Sequence, residues 1–450
     1  MTVAFDPFRE PASPPGARER YARRRARVLE QLGGDAAMVL AATPEIVIGR
    51  DTELRYTIDP ELYYLTGYTE PEAVMVLNPS LDRPFTLFVR PRDAARELWT
   101  GVRGGLEAGA VFGADQTFPI EELGARLPAL IGNVSTVYAR TDPLRDSFSR
   151  ALEGALDRGL RARARTGSGP HTRTDPGVIL DEMRLIKDDL EIELMREAAS
   201  ISVESFISAA GTIRPGAGEW QVEAVLEGEF RRAGAQGFAF PSIVGAGANA
   251  TTLHYVANNA RIAGGSLVLI DAGARWNMYC ADISRTFPAG GRFTDAQREI
   301  YEIVLAAHNA AIRAVRPGAT IDDVHDAAIR ELARGLVGLG LVAGPVEHVL
   351  ENPDELRRYY PHRTSHWLGL EVHDVGAYAT SAGPRRLEPG MVLTVEPGLY
   401  IGANANVEAL RGTGVRIEDD ILVTPDGGDV LTGALPVSAS QVEAMVGGGA

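Results

Sequence analysis

The sequence contains little cysteine, almost no lysine and no long apolar run. Cys280 is the one cysteine among 450 residues, so an intrachain disulfide is excluded and a reducing compartment is the simplest interpretation. Lys187 is the one lysine, which we attribute to codon composition. The sequence contains no uninterrupted run of about 18 apolar residues, so it predicts no membrane span. The first 16 residues hold four prolines and several charges where a signal peptide needs an apolar core. We therefore expect a cytoplasmic protein.

Excess basic charge is missing as well. The formal net charge of −15 argues against a general nucleic-acid binder or an anionic-membrane binder, because both need basic side chains to replace counterions. GAGANA at 245–250 formally matches a dinucleotide-binding loop, but no helix is predicted after it. The sequence contains neither an HExxH zinc motif nor a phosphate-binding P-loop. Small or neutral ligands remain open.

Length and composition predict two domains. With 450 residues, 45% of them hydrophobic, the chain is too long to fold around one small hydrophobic core. Residues 1–15 are predicted to be a Pro-rich tail, and residues 16–175 an α/β domain. The segment 161–177 is polar and rich in Gly, Pro and Thr, as interdomain connections are. Residues 176–440 predict a larger α+β domain.

Within the first domain, apolar spacing predicts a helix over 17–32 that ends at Gly33, and strands over 36–42, 73–78 and 85–90. The second domain is predicted to begin with two helices. Strands near 267–287, helices over 295–341 and strands near 391–424 follow.

Two aspartates interrupt apolar strands in the second domain. Asp271 follows the run Leu267–Ile270, and Asp282 comes eleven residues later in a similar setting. If a tight hairpin closed by Trp276 and Asn277 joins the strands, residues whose numbers sum to 553 face each other, and Asp271 faces Asp282. Two charges about 5 Å apart at an effective dielectric of about 20 repel by about 3 kcal/mol. A shared proton or a bound cation could offset this repulsion, whereas a register slipped by one residue would direct one aspartate to solvent.

Two glutamates favour the cation. Glu396 ends the apolar run MVLTV, and strand alternation in GVRIEDDILV places Arg416, Glu418 and Asp420 on one face. Two aspartates and two glutamates carry more charge than one shared proton neutralises. The acids therefore predict one or two divalent metal ions.

Histidines cluster in the same part of the chain. Three of the eight lie in HRTSHWLGLEVHD, at His362, His366 and His373, and His254 lies in TTLHYVANN. His366 and His373 are an odd number of positions apart, so an unbroken strand would direct them to opposite faces. Both can serve one site only if the chain bends between them, and Gly369 is the candidate.

These motifs together resemble the aminopeptidase P and prolidase family of dinuclear metallopeptidases, peptidase family M24, which has the pita-bread fold. The resemblance rests on LVLIDAG, ADISRTFP, SHWLGLEVHDVG, LTVEPG and VRIEDD. It extends into the first domain through RDTELRYTIDPELYYLTGYTEPEAVMVL and ELWTGVRGGLEAGA, and covers about residues 36–425. It implies an α+β fold in which a smaller α/β N-terminal domain of the aminopeptidase P type precedes a pita-bread catalytic domain.

The resemblance also implies the metal ligands, which are Asp271, Asp282, His366, Glu396 and Glu418. Asp282 and Glu418 would bridge two ions, Asp271 would complete one site, and His366 with Glu396 would complete the other. One imidazole among four carboxylates is a hard set that suits Mn²⁺, with Co²⁺ or Zn²⁺ as alternatives. The resemblance favours manganese. Cys280 could offer a thiolate, but we interpret it as a small buried residue.

The catalytic roles follow from the same resemblance. A hydroxide between the two ions would attack the scissile carbonyl, with Glu396 as general base. His254, His362 and His373 match histidines that orient substrate and stabilise the tetrahedral intermediate or the leaving nitrogen. Arg416, on the face of Glu418, would neutralise excess carboxylate charge unless it is an ordinary surface arginine.

The implied activity is that of an Xaa-Pro aminopeptidase, which releases an N-terminal residue that precedes proline. The alternatives are an Xaa-Pro dipeptidase and a non-catalytic pita-bread binding protein. The expected partners are peptides with proline at position 2 and further copies of the chain, in a dimer or tetramer, with no nucleic acid or membrane. Trp99 in ELWTG resembles a residue that closes the family's cleft, unless it is a core tryptophan.

Overall fold

The structure, a computed structural model, describes residues 16–142 and 146–446. The predicted Pro-rich tail over 1–15 lies outside the described residues. The chain separates into two compact units, the first ending at Asp181 and the second beginning at Glu182. The sequence interpretation had the boundary between 175 and 176, a few residues earlier. None of the described helices combines the length and the hydrophobicity that crossing a membrane requires.

The first unit combines helices with one large sheet. Its helices are α1 Ala17–Leu32, α2 Pro60–Thr66, α3 Ala94–Thr100, α4 Ala108–Val111, α5 Leu123–Ile131 and α6 Asp146–Thr166, followed by α7 Gly177–Leu185 at the boundary. Its strands are β1 Ala36–Ala41, β2 Val47–Ile48, β3 Thr52–Glu53, β4 Val74–Leu77, β5 Phe85–Val89, β6 Gln116–Pro119, β7 Thr136–Tyr138 and β8 Thr172–Thr174.

Six of these strands form a mixed sheet in the order β6-β5-β4-β1-β7-β8. The central strands β1, β4 and β5 are buried along their whole length, as their continuous apolar sequences predict. Leu127 of α5 and Leu152 of α6 belong to the same core cluster as Val39 and Phe88 of the sheet. The predicted helix over 17–32 and the predicted α/β class of this domain are confirmed.

The second unit contains longer helices and several short sheets. Its helices are α8 Asp189–Ala210, α9 Glu219–Arg232, α10 Asp295–Ala314, α11 Ile321–Gly338, α12 Val346–Glu351, α13 Pro353–Arg357 and α14 Ala439–Met445. Its strands are β9 Gly237–Phe238, β10 Ile243–Ala246, β11 Leu267–Ala272, β12 Ala274–Trp276, β13 Tyr279–Cys280, β14 Ile283–Pro288, β15 Ala379–Thr380, β16 Gly383–Pro384, β17 Val392–Val395, β18 Gly398–Ile401, β19 Thr413–Arg416, β20 Asp419–Thr424 and β21 Gly427–Val430.

The long helices begin where side chains satisfy their first backbone N–H groups. Asp188, Thr294 and Thr320 form capping boxes at the starts of α8, α10 and α11. The apolar faces of α10 and α11 join the strands in one core, in which Val304 and Leu332 are fully buried. Two antiparallel strand pairs contribute to this core: β11 pairs with β14, and β17 pairs with β20.

The predicted hairpin register is wrong. The turn is formed by Asn277 and Met278, both with positive φ, so the strand partner of Asp271 is Ser284 instead of Asp282. Asparagine tolerates this backbone conformation. The turn therefore lies one residue closer to the C-terminus than predicted. Because the partner changes by two residues, the face of each side chain is preserved. The alternative that one aspartate reaches solvent is also wrong, since Asp271 and Asp282 are both buried.

Candidate active site

One cavity of about 1070 Å³ lies in the second unit, and all the metal ligands and catalytic residues that the resemblance implies line it. These residues come from five separate stretches of the chain. They are His254, Asp271, Asp282, His362, His366, His373, Glu396, Arg416 and Glu418. Most of the other lining side chains are apolar, Phe240 and Val372 among them.

A close crossing of two strands brings the aspartates to the cavity. A Cβ atom on Gly273 would lie 1.7 Å from the carbonyl oxygen of Ala281, so only glycine permits this approach. Beyond the crossing, Ser284 donates a hydrogen bond of 2.8 Å to Oε2 of Glu418. The backbone N–H of Glu418 in turn donates to the carbonyl of Ser284. The second acid-bearing segment is thereby fixed against the first.

His366 has a defined tautomer. Its Nδ1 lies 3.0 Å from the carbonyl oxygen of Trp367, and a carbonyl can only accept, so Nδ1 carries a proton. In the neutral ring this leaves a lone pair on Nε2, which lies 3.4 Å from Oδ2 of Asp282 and 3.8 Å from Oε1 of Glu396. A histidine fixed in this way offers Nε2 to a metal ion.

The donor atoms converge as a metal site requires. One atom each of Asp282, His366 and Glu418 lie within 4.8 Å of one another. Buried oxygens also stand without a hydrogen-bond partner among the described residues, namely Oδ1 of Asp271 and Oδ1 of Asp282. Buried polar atoms are rarely left unpaired, so two such carboxylate oxygens beside an imidazole nitrogen with a lone pair fit the binding of a cation.

The electrostatics of the acids also favour the binding of a cation. Burial, together with the neighbouring acids, raises the pKa of Asp282 and of Glu418 well above their ordinary values. Burial likewise raises the pKa of Glu396 to about 7, although His366 and Arg416 oppose it. Carboxylates in this state either hold protons or bind cations.

Arg416 is part of this centre, and its interpretation as a surface residue is wrong. The side chain is buried, and its guanidinium forms an ion pair with Oδ2 of Asp271. Nε of Arg416 also donates to Ser284 and lies 4.0 Å from Oε2 of Glu418. One buried cation thus offsets part of the carboxylate charge.

Sequence reasoning missed Tyr400. Its hydroxyl accepts a hydrogen bond of 2.8 Å from Arg416 and donates one of 2.9 Å to Nε2 of His362. Nδ1 of His362 donates to the carbonyl of Arg363, and burial, with the Arg416 charge, lowers the pKa of His362 to about 3. The imidazole is therefore neutral and fixed at both nitrogens. Glu396 follows β17 and Tyr400 lies in β18, with Pro397 between them, so no unbroken strand pattern in the sequence pointed to this tyrosine.

The predicted chain bend near Gly369 and the predicted burial of Cys280 agree with the structure. The backbone bends from Gly369 to His373, which brings the rings of His366 and His373 to 4.4 Å between centroids. Burial and the neighbouring His366 lower the pKa of His373. Cys280 is fully buried, and burial raises the pKa of its thiol to about 12, so it is the predicted inert core residue.

Replacing Tyr400 by Phe is expected to lower kcat about ten-fold for any reaction that depends on His362, since it removes both hydroxyl hydrogen bonds and keeps the ring. The matched control is Tyr359→Phe, whose hydroxyl bonds the carbonyl of Leu341. Steady-state kinetics of the two variants make the measurement. Equal effects in both would contradict a role for the Arg416–Tyr400–His362 chain.

Comparison with known proteins explains this combination of residues. Residues 193–425 match the model of metallopeptidase family M24, and residues 21–138 match that of the aminopeptidase P N-terminal domain. The chain belongs to metallopeptidase family M24. The Xaa-Pro aminopeptidase of Escherichia coli is 39% identical over 96% of the chain and 98% of its own length. That of Haemophilus influenzae is 38% identical over 95% and 97%.

Solved structures of aminopeptidases share the fold. An aminopeptidase from Pseudomonas aeruginosa matches with a TM-score of 0.92 and 42% identity, over 96% of this chain and 98% of its own. Zinc-substituted Escherichia coli aminopeptidase P in complex with product matches with a TM-score of 0.90 and 39% identity, over 95% and 98%. The predicted family is confirmed, as is the α+β fold with a pita-bread catalytic domain.

Proposed function

We infer that this protein is a metal-dependent Xaa-Pro aminopeptidase, which hydrolyses the bond between an N-terminal residue and a following proline. The observation that carries the inference is the cavity in which unpaired carboxylate oxygens of Asp271 and Asp282 accompany the free Nε2 of His366. Relatives named Xaa-Pro aminopeptidase align with nearly the whole chain, which supports the same reaction here.

For the metal centre we propose the five-ligand set in full. Asp282 and Glu418 would bridge two ions, Asp271 would complete one site, and His366 with Glu396 the other. The four carboxylates and one imidazole favour Mn²⁺, with Co²⁺ or Zn²⁺ as alternatives. Bound there, the ions would supply Lewis acidity and acidify a water molecule.

The chain's own side chains would then handle the protons and the substrate. Glu396 would accept the proton of the attacking water at a carboxylate oxygen and return it to the proline nitrogen, which carries no hydrogen in the substrate amide. His254 and His373 line the cavity, where they can donate to the substrate carbonyl or guide the leaving amine. His362, fixed between Tyr400 and Arg363, would orient Glu396, whose Oε2 lies 3.5 Å from its Nδ1.

Removal of the metal is expected to abolish hydrolysis, and Mn²⁺ is expected to restore it. The assay treats the protein with a chelator, restores single metal ions, and compares Xaa-Pro dipeptides with Xaa-Pro-Yaa tripeptides and longer peptides. Cleavage of tripeptides and longer peptides supports the aminopeptidase. Cleavage of dipeptides alone would assign a prolidase, and inactivity with every metal and peptide would contradict an enzyme and favour a binding protein.

We also propose that the chain forms a homo-oligomer, a dimer or tetramer, in the cytoplasm. Leu98 and Trp99 at the end of α3 are 83% and 85% exposed, so the interpretation of Trp99 as a core residue is wrong. Neighbouring exposed apolar side chains of this size are typical of an interface. Light scattering coupled to size-exclusion chromatography measures the assembled mass, and a monomer would contradict the proposal.

A further inference from the structure

A carboxylate outside the cavity is buried among neutral hydrogen-bond donors. Glu219, the first residue of α9, is fully buried, and the hydrogen-bond donors to its side chain among the described residues are all neutral groups. Four donors surround it. Oε1 accepts from the backbone N–H of Ala246 at 2.8 Å and from Nδ2 of Asn249 at 3.0 Å. Oε2 accepts from the backbone N–H of Ala260 at 2.8 Å and from the hydroxyl of Tyr255 at 2.9 Å.

This arrangement stabilises a negative charge. Each oxygen accepts one backbone N–H and one side-chain donor, which are the charge-assisted bonds that a carboxylate prefers. The N-terminus of α9 adds the positive end of the helix dipole. Glu219 is thus satisfied as an anion, and its four donors depend on it.

All four donors belong to the segment 246–260, which carries His254. Within it, Thr252, His254 and Val256 are exposed, and Leu253 and Tyr255 are only partly buried against the core. Few apolar contacts therefore hold this stretch of backbone. Hydrogen bonds to Glu219 fix both ends of the segment, at Ala246 and Ala260. The hydroxyl of Tyr255, the residue after His254, supplies a third attachment.

The backbone of Glu219 also binds the C-terminal end of the segment 246–260. Its N–H donates to the carbonyl of Ala260 at 3.0 Å, so both backbone groups of Ala260 bond to one residue. One turn along α9, Glu223 accepts from Nδ2 of Asn258 at 2.8 Å. Asn258 is buried with a positive φ, a conformation that its own bonds to Ser242 and Val244 maintain.

We propose that Glu219 is a positioning residue for catalysis: it shapes the segment 246–260 so that His254 faces the cavity of the metal ligands. This role rests on the proposed peptidase function. Glu219 does not touch the substrate, and it acts through the backbone on either side of His254.

The test compares Glu219→Gln with Glu223→Gln. A glutamine has one accepting oxygen and one donating NH₂ group, and each oxygen of Glu219 accepts a backbone N–H. Either orientation of the glutamine therefore sets its NH₂ group against the N–H of Ala246 or of Ala260. Glu223 accepts one amide, which the oxygen of a glutamine can keep. The control changes the same charge on the same helix beside the same segment.

With an Xaa-Pro-Yaa peptide, Glu219→Gln is expected to lower kcat at least ten-fold and to change KM less than about three-fold, because small misplacements of catalytic groups cost large factors in rate. Glu223→Gln is expected to stay within about two-fold of the parent. In a His254→Ala background, Glu219→Gln should add less than about three-fold, since residues that act as a unit are not additive. A full additional ten-fold loss in that background would overturn the proposal.

Hydrogen exchange separates this proposal from the proposed function. The amides of Ala246 and Ala260 are expected to exchange faster in Glu219→Gln and at the parent rate in Glu223→Gln. Unchanged exchange would overturn the positioning role even for a protein that cleaves no peptide, whereas inactivity of the parent alone would contradict only the peptidase. If Glu219→Gln fails to fold, Tyr255→Phe replaces it in the test, since this variant removes only one of the four bonds. It is expected to lower kcat about three-fold and to have a smaller effect in the His254→Ala background. An equal effect with and without His254 would count against the proposal.

Discussion

Asp282→Asn is expected to remove both metal ions and all peptide hydrolysis. In the proposed centre this carboxylate contacts both ions, and an amide offers each a weaker neutral oxygen. Metal content after dialysis, measured by mass spectrometry, should fall from two ions per chain to fewer than one. Activity should fall by at least about a thousand-fold, in line with the large share of catalysis that such metal sites supply.

The same substitution is expected to stabilise the metal-free protein. Burial, together with the charges of Asp271, Asp420 and Glu396, raises the pKa of Asp282 well above its ordinary value. An uncharged amide relieves this repulsion, so the midpoint of thermal unfolding in chelator should rise above that of the parent. With Mn²⁺ the order should reverse, because only the parent gains stability from the bound ions. A variant that keeps two ions would contradict the bridging assignment, and a lowered midpoint in chelator would contradict the repulsion.

Asp374→Asn is expected to lower the free energy of unfolding of the second unit by about 3–5 kcal/mol, the cost of leaving buried charge without its partner. Asp374 is buried between Lys187, whose Nζ lies 3.1 Å from Oδ2, and Arg184. Arg184 keeps a second partner in Glu371, at 2.9 Å, but Lys187 keeps no other ion pair among those of the described residues. Removing the charge and keeping the shape isolates the electrostatic contribution.

Denaturation in urea, followed by the fluorescence of buried Trp367, measures this loss. Asp429→Asn is the matched control, since Asp429 pairs with Arg196 where both side chains are more than 40% exposed, and its loss should stay below about 1 kcal/mol. Lys187 and Arg184 hold the pKa of Asp374 below its ordinary value despite burial. Its contribution is therefore present above the unfolded pKa of about 3.9 and is lost as the pH falls through the lowered folded value. Equal losses for the two variants would contradict the account.

The sequence predicted what continuous patterns determine. Apolar runs located the central strands, and an acid at the end of such a run marked the metal-site candidates, as at Asp271 and Glu396. Those side chains meet in one cavity because strand alternation constrains which face each one takes. Even the wrong hairpin register preserved the face, since the error was two residues.

Contacts between distant segments could not be predicted in the same way. Glu219 bonds residues 27 to 41 positions later in the chain, and a lone acid at a helix start is ordinarily a dipole-stabilising surface residue. Tyr400 reaches His362 across 38 positions. Such pairings depend on how whole elements pack, and a single sequence carries no periodic signal for them.

The single lysine gives the second unit a chemical reporter. Nζ of Lys187 is the one side-chain amine of the chain, and with a residue exposure of 4% it is inaccessible to an acylating reagent in the folded state. Its acylation therefore requires the surrounding structure to open, and the acylation rate measures how often the segment between α7 and α8 does so. Mass spectrometry of one acylated lysine can thus follow local opening of the catalytic unit in the active peptidase.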